Sequence, residues 1–257
     1  MNILFLGDVF GKTGRELVAG KLGSLKSEYR IDFTVANGEN ASHGKGLSMK
    51  AADELYDSGI DFITMGNHTW SNSNIMHFID DYPIVRPANF HSDLPGRGYE
   101  VRKTPKGKIG ILNLQGRVYM EPSDNPFDCA LRCVEKIREQ TPVIIVDFHA
   151  EATSEKIALA TMLDGKVSAV IGTHTHVQTA DERILPRGTG FITDVGMCGP
   201  SNSIIGMDTA LVTEKFIYNI PRRFEPAKGS PLLNGVVLEI DEGTGKTIKI
   251  ERLLMKP

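Results

Sequence analysis

Cysteine is scarce in this sequence: the three cysteines among its 257 residues are Cys129, Cys133 and Cys198. A small, odd number of cysteines in a long chain argues against the disulfide framework on which small secreted domains depend. Cys129 and Cys133 lie four residues apart in a predicted helix, where their side chains share one face. We interpret them as small buried apolar residues rather than as metal ligands.

Long apolar runs and an excess of positive charge are missing as well. No apolar stretch approaches the ~20 residues that a helix needs to cross a bilayer, and residues 1–8 lack the cationic start of a signal peptide and predict a strand. The 29 Lys and Arg are outnumbered by 32 Asp and Glu, which argues against tight binding to duplex DNA through its phosphates. We expect a cytoplasmic protein that binds neither membranes nor duplex DNA, whereas a small nucleotide or a short single strand is compatible with this charge.

Short apolar runs alternate with longer amphipathic runs along the chain, as in α/β proteins. The predicted strands are 2–6, 32–36, 61–65, 99–102, 108–114, 143–148, 167–171, 190–194, 235–240 and 247–253, and the predicted helices are 14–29, 48–56, 126–139 and 154–163. The first strands alternate with helices and predict parallel pairing, whereas the later ones favour antiparallel pairing. We expect a single domain over residues 1–257, with two mixed β-sheets face to face and helices outside, and a surface loop at residues 219–232.

Polar side chains follow five of the predicted strands, at the point where each strand ends. They are Asp8, Glu39 with Asn40, Asn67 with His68, His149, and His174 with His176. Because the carboxyl ends of parallel strands lie along one edge of a sheet, we expect these side chains to meet there. Carboxylates and imidazoles together suit iron, manganese or zinc, and a carboxylate can bridge two such ions ~3.5–4 Å apart.

The run Gly172-Thr-His-Thr-His176 is the strongest single signal. Two histidines two residues apart in an extended segment point to the same face, and imidazole is a common ligand of transition metals. By itself the pair is equally compatible with two hydrogen-bonded polar side chains, but the four other strand ends favour metal binding.

A phosphate-binding P-loop is a competing interpretation of residues 7–13, which lie between a predicted strand and a predicted helix. The spacing between Gly7 and the run Gly11-Lys12-Thr13 is one residue shorter than the Walker pattern requires. Asp8 would also repel a phosphate at this position, so the sequence disfavours a P-loop.

Three motifs occur in a characteristic order: Gly7-Asp8, Gly66-Asn67-His68 and Gly172-Thr-His174-Thr-His176. In this order they resemble the calcineurin-like metallophosphoesterase superfamily, over nearly the whole chain. The sequence departs from the superfamily pattern at Phe10, where a ligand histidine is expected, and at Glu39, where a bridging aspartate is expected. These departures, with residues 1–11 and the run Ala36-Asn-Gly-Glu-Asn-Ala41, resemble the YmdB-type branch.

The resemblance implies a four-layer α/β/β/α sandwich and a pair of metal ions, usually iron or manganese. It places Asp8, Glu39, Asn40 and His176 on one ion, and Glu39, Asn67, His149 and His174 on the other, with Glu39 as the bridge. Asn40 would replace the ligand lost at Phe10. Members of the branch are phosphodiesterases acting on 2′,3′-cyclic nucleotides, so a hydroxide bridging the ions would attack phosphorus while His68 protonates the departing ribose oxygen.

Other candidates and functions stay open at this point. His43, in a glycine-rich loop, is predicted to line the substrate pocket. Asp194 and Glu151 are predicted either to orient metal ligands, Glu151 near His149, or to form ordinary turns and caps. The alternative functions are a phosphomonoesterase or 5′-nucleotidase with the same metal pair and a non-catalytic metal-binding regulatory protein. The resemblance implies a homo-oligomer and leaves open whether RNA ends are substrates.

Overall fold

Most of the apolar runs form strands and most of the amphipathic runs form helices in the computed structural model, which describes residues 1–256. The helices are α1 (Gly11–Glu28), α2 (Met49–Asp57), α3 (Pro126–Arg138), α4 (Thr153–Leu163) and α5 (Thr209–Tyr218), with a short 3-10 helix at Ser73–His77. The strands are β1 (Asn2–Leu6), β2 (Asp8–Val9), β3 (Phe33–Asn37), β4 (Phe62–Thr64), β5 (Ile84–Val85), β6 (Tyr99–Thr104), β7 (Gly107–Gln115), β8 (Ile144–His149), β9 (Ala169–Thr173), β10 (Arg183–Ile184), β11 (Gly190–Ile192), β12 (Met197–Pro200), β13 (Pro231–Ile240) and β14 (Thr247–Met255).

The strands form two mixed sheets. An eight-stranded sheet has the order β2-β12-β13-β1-β3-β4-β5, with β14 paired to β13, and a six-stranded sheet has the order β10-β11-β9-β8-β7-β6. In the first sheet β1, β3 and β4 are parallel neighbours, and in the second β7, β8 and β9 are. Strand β5 extends the parallel set of the first sheet and β11 that of the second, so the later strands are less antiparallel than predicted. Antiparallel pairs, among them β1 with β13 and β6 with β7, make both sheets mixed, and the predicted fold class of two mixed sheets flanked by helices is confirmed.

Alternating side chains along the strands build the layers. In β1, Leu4 and Leu6 pack with residues of α1 and α2, whereas Ile3 and Phe5 pack between the two sheets. In β7, Leu112 and its neighbours on the same face pack with α3 and α4 instead. Successive strand residues point to opposite faces, so each sheet buries one face against helices and the other against its partner sheet. The order of layers is α/β/β/α.

Several element boundaries differ from the prediction. Helix α1 begins at Gly11 rather than at residue 14, and the loop predicted at 219–232 gives way to β13 from Pro231. Helix α5 was not predicted at all, because Val212 is its one buried side chain and no apolar periodicity marks it. Its caps were readable: Asp208 accepts a hydrogen bond from the Leu211 amide, and Asn219 ends the helix in the left-handed conformation.

The five polar strand ends lie on two sheets rather than on the edge of one. Strands β1, β3 and β4 deliver theirs from the first sheet, and β8 and β9 from the second. Because the two sheets face each other, their carboxyl ends meet at one end of the sandwich. Within residues 1–256, no helix is long and apolar enough to cross a membrane.

Candidate metal centre and its cavity

Three side chains converge on one nitrogen atom of His149, and we call the four residues the His149 cluster: Glu39, Asn67, His149 and His174. Nε2 of His149 lies 2.9 Å from Oε1 of Glu39, 2.9 Å from Oδ1 of Asn67 and 3.0 Å from Nδ1 of His174. One imidazole nitrogen carries at most one proton and cannot serve three such partners. Ligand atoms of Glu39, His149 and His174 lie within 4.8 Å of one another, an arrangement that could hold a metal ion.

Hydrogen bonds determine which nitrogen of His149 carries the proton. The Thr173 hydroxyl donates to Oδ1 of Asp147 at 2.7 Å, so its oxygen accepts from Nδ1 of His149 at 2.8 Å. Nε2 is therefore left without a proton and points at Glu39. A metal-binding histidine is commonly oriented by such a chain from its second nitrogen to a carboxylate. The sequence analysis missed Asp147, although a carboxylate inside an otherwise apolar strand was a visible signal.

His174 and His176 likewise have one protonated nitrogen and one bare nitrogen. Nε2 of His174 lies 3.2 Å from the carboxylate of Glu151, and Nδ1 of His176 lies 2.9 Å from the backbone carbonyl of Ile205. Both partners can only accept, so these nitrogens carry the protons. The bare nitrogens are Nδ1 of His174, facing His149, and Nε2 of His176, facing Asp8. Glu151 thus pairs with His174, not with His149 as predicted.

A second group, which we call the Asp8 cluster, consists of Asp8, Asn40 and His176. Oδ1 of Asp8 lies 3.7 Å from Nε2 of His176. Oδ1 of Asp8 and Oδ1 of Asn40 are buried and make no hydrogen bond with any of the described residues, and unsatisfied buried oxygens are costly in a folded protein. The amide group of Asn40 is turned by its own donation to the carbonyl of Gly44 at 2.9 Å, so its oxygen is free for a cation.

The electrostatics of both clusters favour a bound cation. Burial, with the nearby charge of Glu39, raises the pKa of Asp8 well above its usual range, and burial likewise raises the pKa of Glu39. Burial lowers the pKa of His149 far below its usual value and that of His174 to about 3, so both imidazoles are neutral. Ionised carboxylates and bare nitrogens that face one another repel, and a cation between them relieves this repulsion without protonating the carboxyl groups. The residues present therefore fit metal binding.

His174 and His176 do not lie in an extended segment, so the prediction that they share one face is wrong. Strand β9 ends at Thr173, and the two histidines have φ values of +102° and +66°. Such values are strained for residues with a Cβ and persist only where the surroundings enforce them. The turn sends His174 to the His149 cluster and His176 to the Asp8 cluster.

A buried ion pair holds this turn. Asp194 accepts hydrogen bonds from the amides of Thr175 at 3.0 Å and Gly196 at 2.9 Å. Nζ of Lys156, on α4, lies 2.7 Å from Asp194, and both side chains are 1% exposed. Asp194 therefore positions the backbone between the two histidines rather than contacting a metal ligand side chain.

Replacing Lys156 by methionine should lower the free energy of unfolding by about 3–5 kcal/mol, because Asp194 is then buried without its partner. Urea denaturation of the purified protein measures the change. The matched control is Lys249→Met, which removes an exposed pair with Glu251 and should change stability little. Equal losses in the two variants would mean that the amides alone hold Asp194.

A cavity of about 500 Å³ opens beside both clusters. Its polar side is lined by Glu39, Asn40, His68, His174 and His176, and its apolar side by Phe10, Ile204, Ile205, Met207, Val212, Phe216 and Phe224. Lys45 and Lys215 add positive charge to its lining. The apolar side comes largely from α5 and its flanking loops, which the sequence analysis did not assign to the site.

Three predicted residues around the cavity have different outcomes. The amide of His68 donates to Oε2 of Glu39 at 2.8 Å, and the residue lines the cavity. Phe10 is buried, with its ring centroid 5.7 Å from that of His176, where it packs rather than binds. His43 is exposed and is not among the lining residues, which include its neighbours Gly44 and Lys45.

Known proteins match this chain in sequence and in fold. Residues 4–253 match the family described as YmdB-like protein. The 2′,3′-cyclic-nucleotide 2′-phosphodiesterase of Bacillus subtilis is 52% identical over 256 residues, which cover 99% of this chain and 97% of that protein. A novel phosphatase of Mycoplasma pneumoniae superposes with a TM-score of 0.94 at 41% identity, covering 100% of this chain and 93% of its own. A hypothetical protein from Thermus thermophilus does so with a TM-score of 0.94 at 38% identity, covering 100% of this chain and 99% of its own.

Proposed function

We propose that this chain, which belongs to the YmdB-like protein family, hydrolyses 2′,3′-cyclic nucleotides to nucleoside monophosphates with the help of two metal ions. One observation carries this proposal. The bare nitrogens of three histidines and the buried carboxylates of Asp8 and Glu39 converge beside a cavity with an apolar wall. The ligand atoms suit transition metals, and the wall suits a nucleobase. The activity of the Bacillus subtilis relative supports the same substrate class.

Each metal ion is proposed to have its own set of ligands. The Asp8 cluster and Glu39 would hold one ion, and the His149 cluster, to which Glu39 also belongs, would hold the other. Asn40 belongs to the first set because its unpaired oxygen is buried next to the site. Two ions, when bound, supply Lewis acidity toward a phosphate and an activated water. Iron is the metal proposed first, with manganese or zinc as alternatives.

His68 is proposed to be the proton donor. Its backbone amide is anchored to Glu39, while its imidazole is free of the ligand sets and lines the cavity. In this position it can protonate the ribose oxygen that leaves phosphorus. Lys45, which lines the same cavity, is proposed to attract the anionic substrate. The single-domain organisation, homo-oligomeric state, cytoplasmic location and action on RNA ends stay predictions.

A substrate panel combined with metal analysis tests the proposal. The purified protein should contain transition metal and should turn over 2′,3′-cyclic nucleotides faster than 3′,5′-cyclic nucleotides or nucleoside monophosphates. A chelator should abolish turnover, and adding iron or manganese back should restore it. Turnover of monophosphates alone would support a 5′-nucleotidase instead. A protein that holds metal but turns over no phosphate ester would fit the non-catalytic regulatory alternative.

A further inference from the structure

A second cavity of about 620 Å³ borders the His149 cluster at Asn67. Its lining includes Asn67, Trp70, Phe90, Gln115, Glu121 and Asp124. Among the described residues, none lines both this cavity and the first one. Nothing in the proposed cleavage of a mononucleotide uses it.

Asn67 connects this second cavity to the proposed chemistry. Its side-chain oxygen lies 2.9 Å from Nε2 of His149 within the His149 cluster, and the same residue lines the second cavity. The next residue, His68, lines the first cavity. The two cavities are thus lined by consecutive residues, Asn67 and His68, and each also borders the His149 cluster.

The lining of the second cavity suits an uncharged aromatic group with polar edges. Trp70 and Phe90 offer partly exposed aromatic surfaces, on which a nucleobase can stack. Gln115 is buried, its Nε2 donates to the carbonyl of Glu121, and its Oε1 makes no hydrogen bond with a described residue. A buried amide oxygen without a partner can accept a donor from a ligand.

Charge limits what this cavity can take. None of the described residues that line it is Lys or Arg, whereas the exposed Glu121 and Asp124 contribute acidic side chains. These carboxylates repel a further phosphate. The charge of this lining therefore suits a single nucleoside better than a continuing polynucleotide.

We infer that the second cavity is a subsite for the second nucleoside of a linear phosphodiester, so that dinucleoside monophosphates are substrates. A 2′,3′-cyclic nucleotide carries both ester oxygens on one ribose and occupies one cavity, whereas a linear diester places a nucleoside on each side of phosphorus. This inference rests on the proposed function. In the reaction a water oxygen bonds to phosphorus, one phosphorus–oxygen ester bond breaks, and the departing oxygen takes a proton, which yields a nucleoside and a nucleoside monophosphate.

The sole tryptophan of the chain, Trp70, reports occupancy of this subsite directly. The unmodified holoenzyme is mixed with a dinucleoside monophosphate in a stopped-flow fluorimeter, excited where nucleobases do not absorb, and read before turnover. The fluorescence should change, whereas a 2′,3′-cyclic mononucleotide at the same concentration should leave it unchanged. An identical response to both ligands, or no response to the dinucleoside, would overturn the inference.

Kinetics of Phe90→Ala provide a second readout. Loss of base stacking should lower kcat/KM for the dinucleoside by on the order of tenfold, while kcat/KM for the 2′,3′-cyclic nucleotide stays within about twofold. Phe216→Ala, in the first cavity, is the matched control and should lower both values. Equal losses in Phe90→Ala for the two substrates would contradict the subsite.

Activity of the unmodified enzyme separates failure of this inference from failure of the proposed function. If it turns over the cyclic nucleotide but not the dinucleoside, the subsite inference fails alone. If it turns over neither, the proposed function fails.

Discussion

Replacing Glu39 by glutamine is expected to empty at least one metal position and to lower kcat by on the order of a thousandfold, about 4 kcal/mol of transition-state stabilisation. The substitution keeps the shape of the side chain but removes the negative charge that lies 2.9 Å from Nε2 of His149. A neutral amide cannot balance the charge of two cations, as the carboxylate proposed to be shared between them would. Metal content by mass spectrometry and kcat, both measured on one preparation, check this expectation.

The stability of the metal-free protein separates this effect from a folding defect. Burial raises the pKa of Glu39, so its ionisation destabilises the folded, chelator-treated protein increasingly as pH rises above the carboxyl pKa of the unfolded chain. Glu39→Gln removes that cost, and the melting temperature of the metal-free variant at neutral pH should match or exceed that of the parent. The exposed Glu16→Gln is the matched control and should change neither metal content nor kcat. A variant that keeps both ions would contradict the bridging role.

Replacing His68 by alanine should preserve metal content and lower kcat by about 10²–10⁴-fold, the usual contribution of a general acid. Metal is retained because the contact between residue 68 and Glu39 is made by the backbone amide, which alanine keeps. The imidazole is lost from the cavity, and with it the proton for the leaving oxygen. Steady-state kinetics with a 2′,3′-cyclic nucleotide and metal analysis of the same samples measure the two effects.

The leaving group provides the sharper test of this role. An aryl phosphodiester releases a phenolate that needs little protonation, so His68→Ala should lose much less activity on it than on the cyclic nucleotide. The control is Ser71→Ala, because the Ser71 hydroxyl lies 3.2 Å from Nδ1 of His68 and orients the ring without supplying the proton. Equal losses on both substrates, or an emptied metal site, would exclude His68 as the acid.

The sequence predicted the chemical character of the candidate site well. Asp8, Glu39, Asn67, His149 and the histidine pair follow apolar runs, and such positions in parallel sheets are where ligands bind. This relation between strand ends and ligand side chains is local, so one chain suffices to read it. The alternation of apolar residues, which is also local, predicted four of the five long helices and ten of the described strands, but not the short strands β2, β5, β10 and β12.

Local sequence patterns could not predict the side-chain geometry at the site. Which nitrogen of His149 is bare depends on Thr173 and Asp147, and Asp147 faces Asn37, which is 110 residues away in the chain. The turn at His174 and His176 depends on Asp194, which Lys156 neutralises from α4. His43 was predicted to line the cavity because its loop is rich in glycine, but the tertiary fold exposes it and brings in Lys45 instead.

By itself, the sequence determined the order of most elements and the kinds of atoms available to a metal, because both follow from residue type and spacing. Only the tertiary structure decided how these atoms are divided between the His149 cluster and the Asp8 cluster. The two sheets bring distant strand ends together, and long-range hydrogen bonds turn each imidazole toward its own cluster. Helix α5 and the residues beyond Asn67 form the walls of the two cavities, and no periodicity marks either wall. Their positions result from packing against the rest of the chain, which is a property of the folded molecule as a whole.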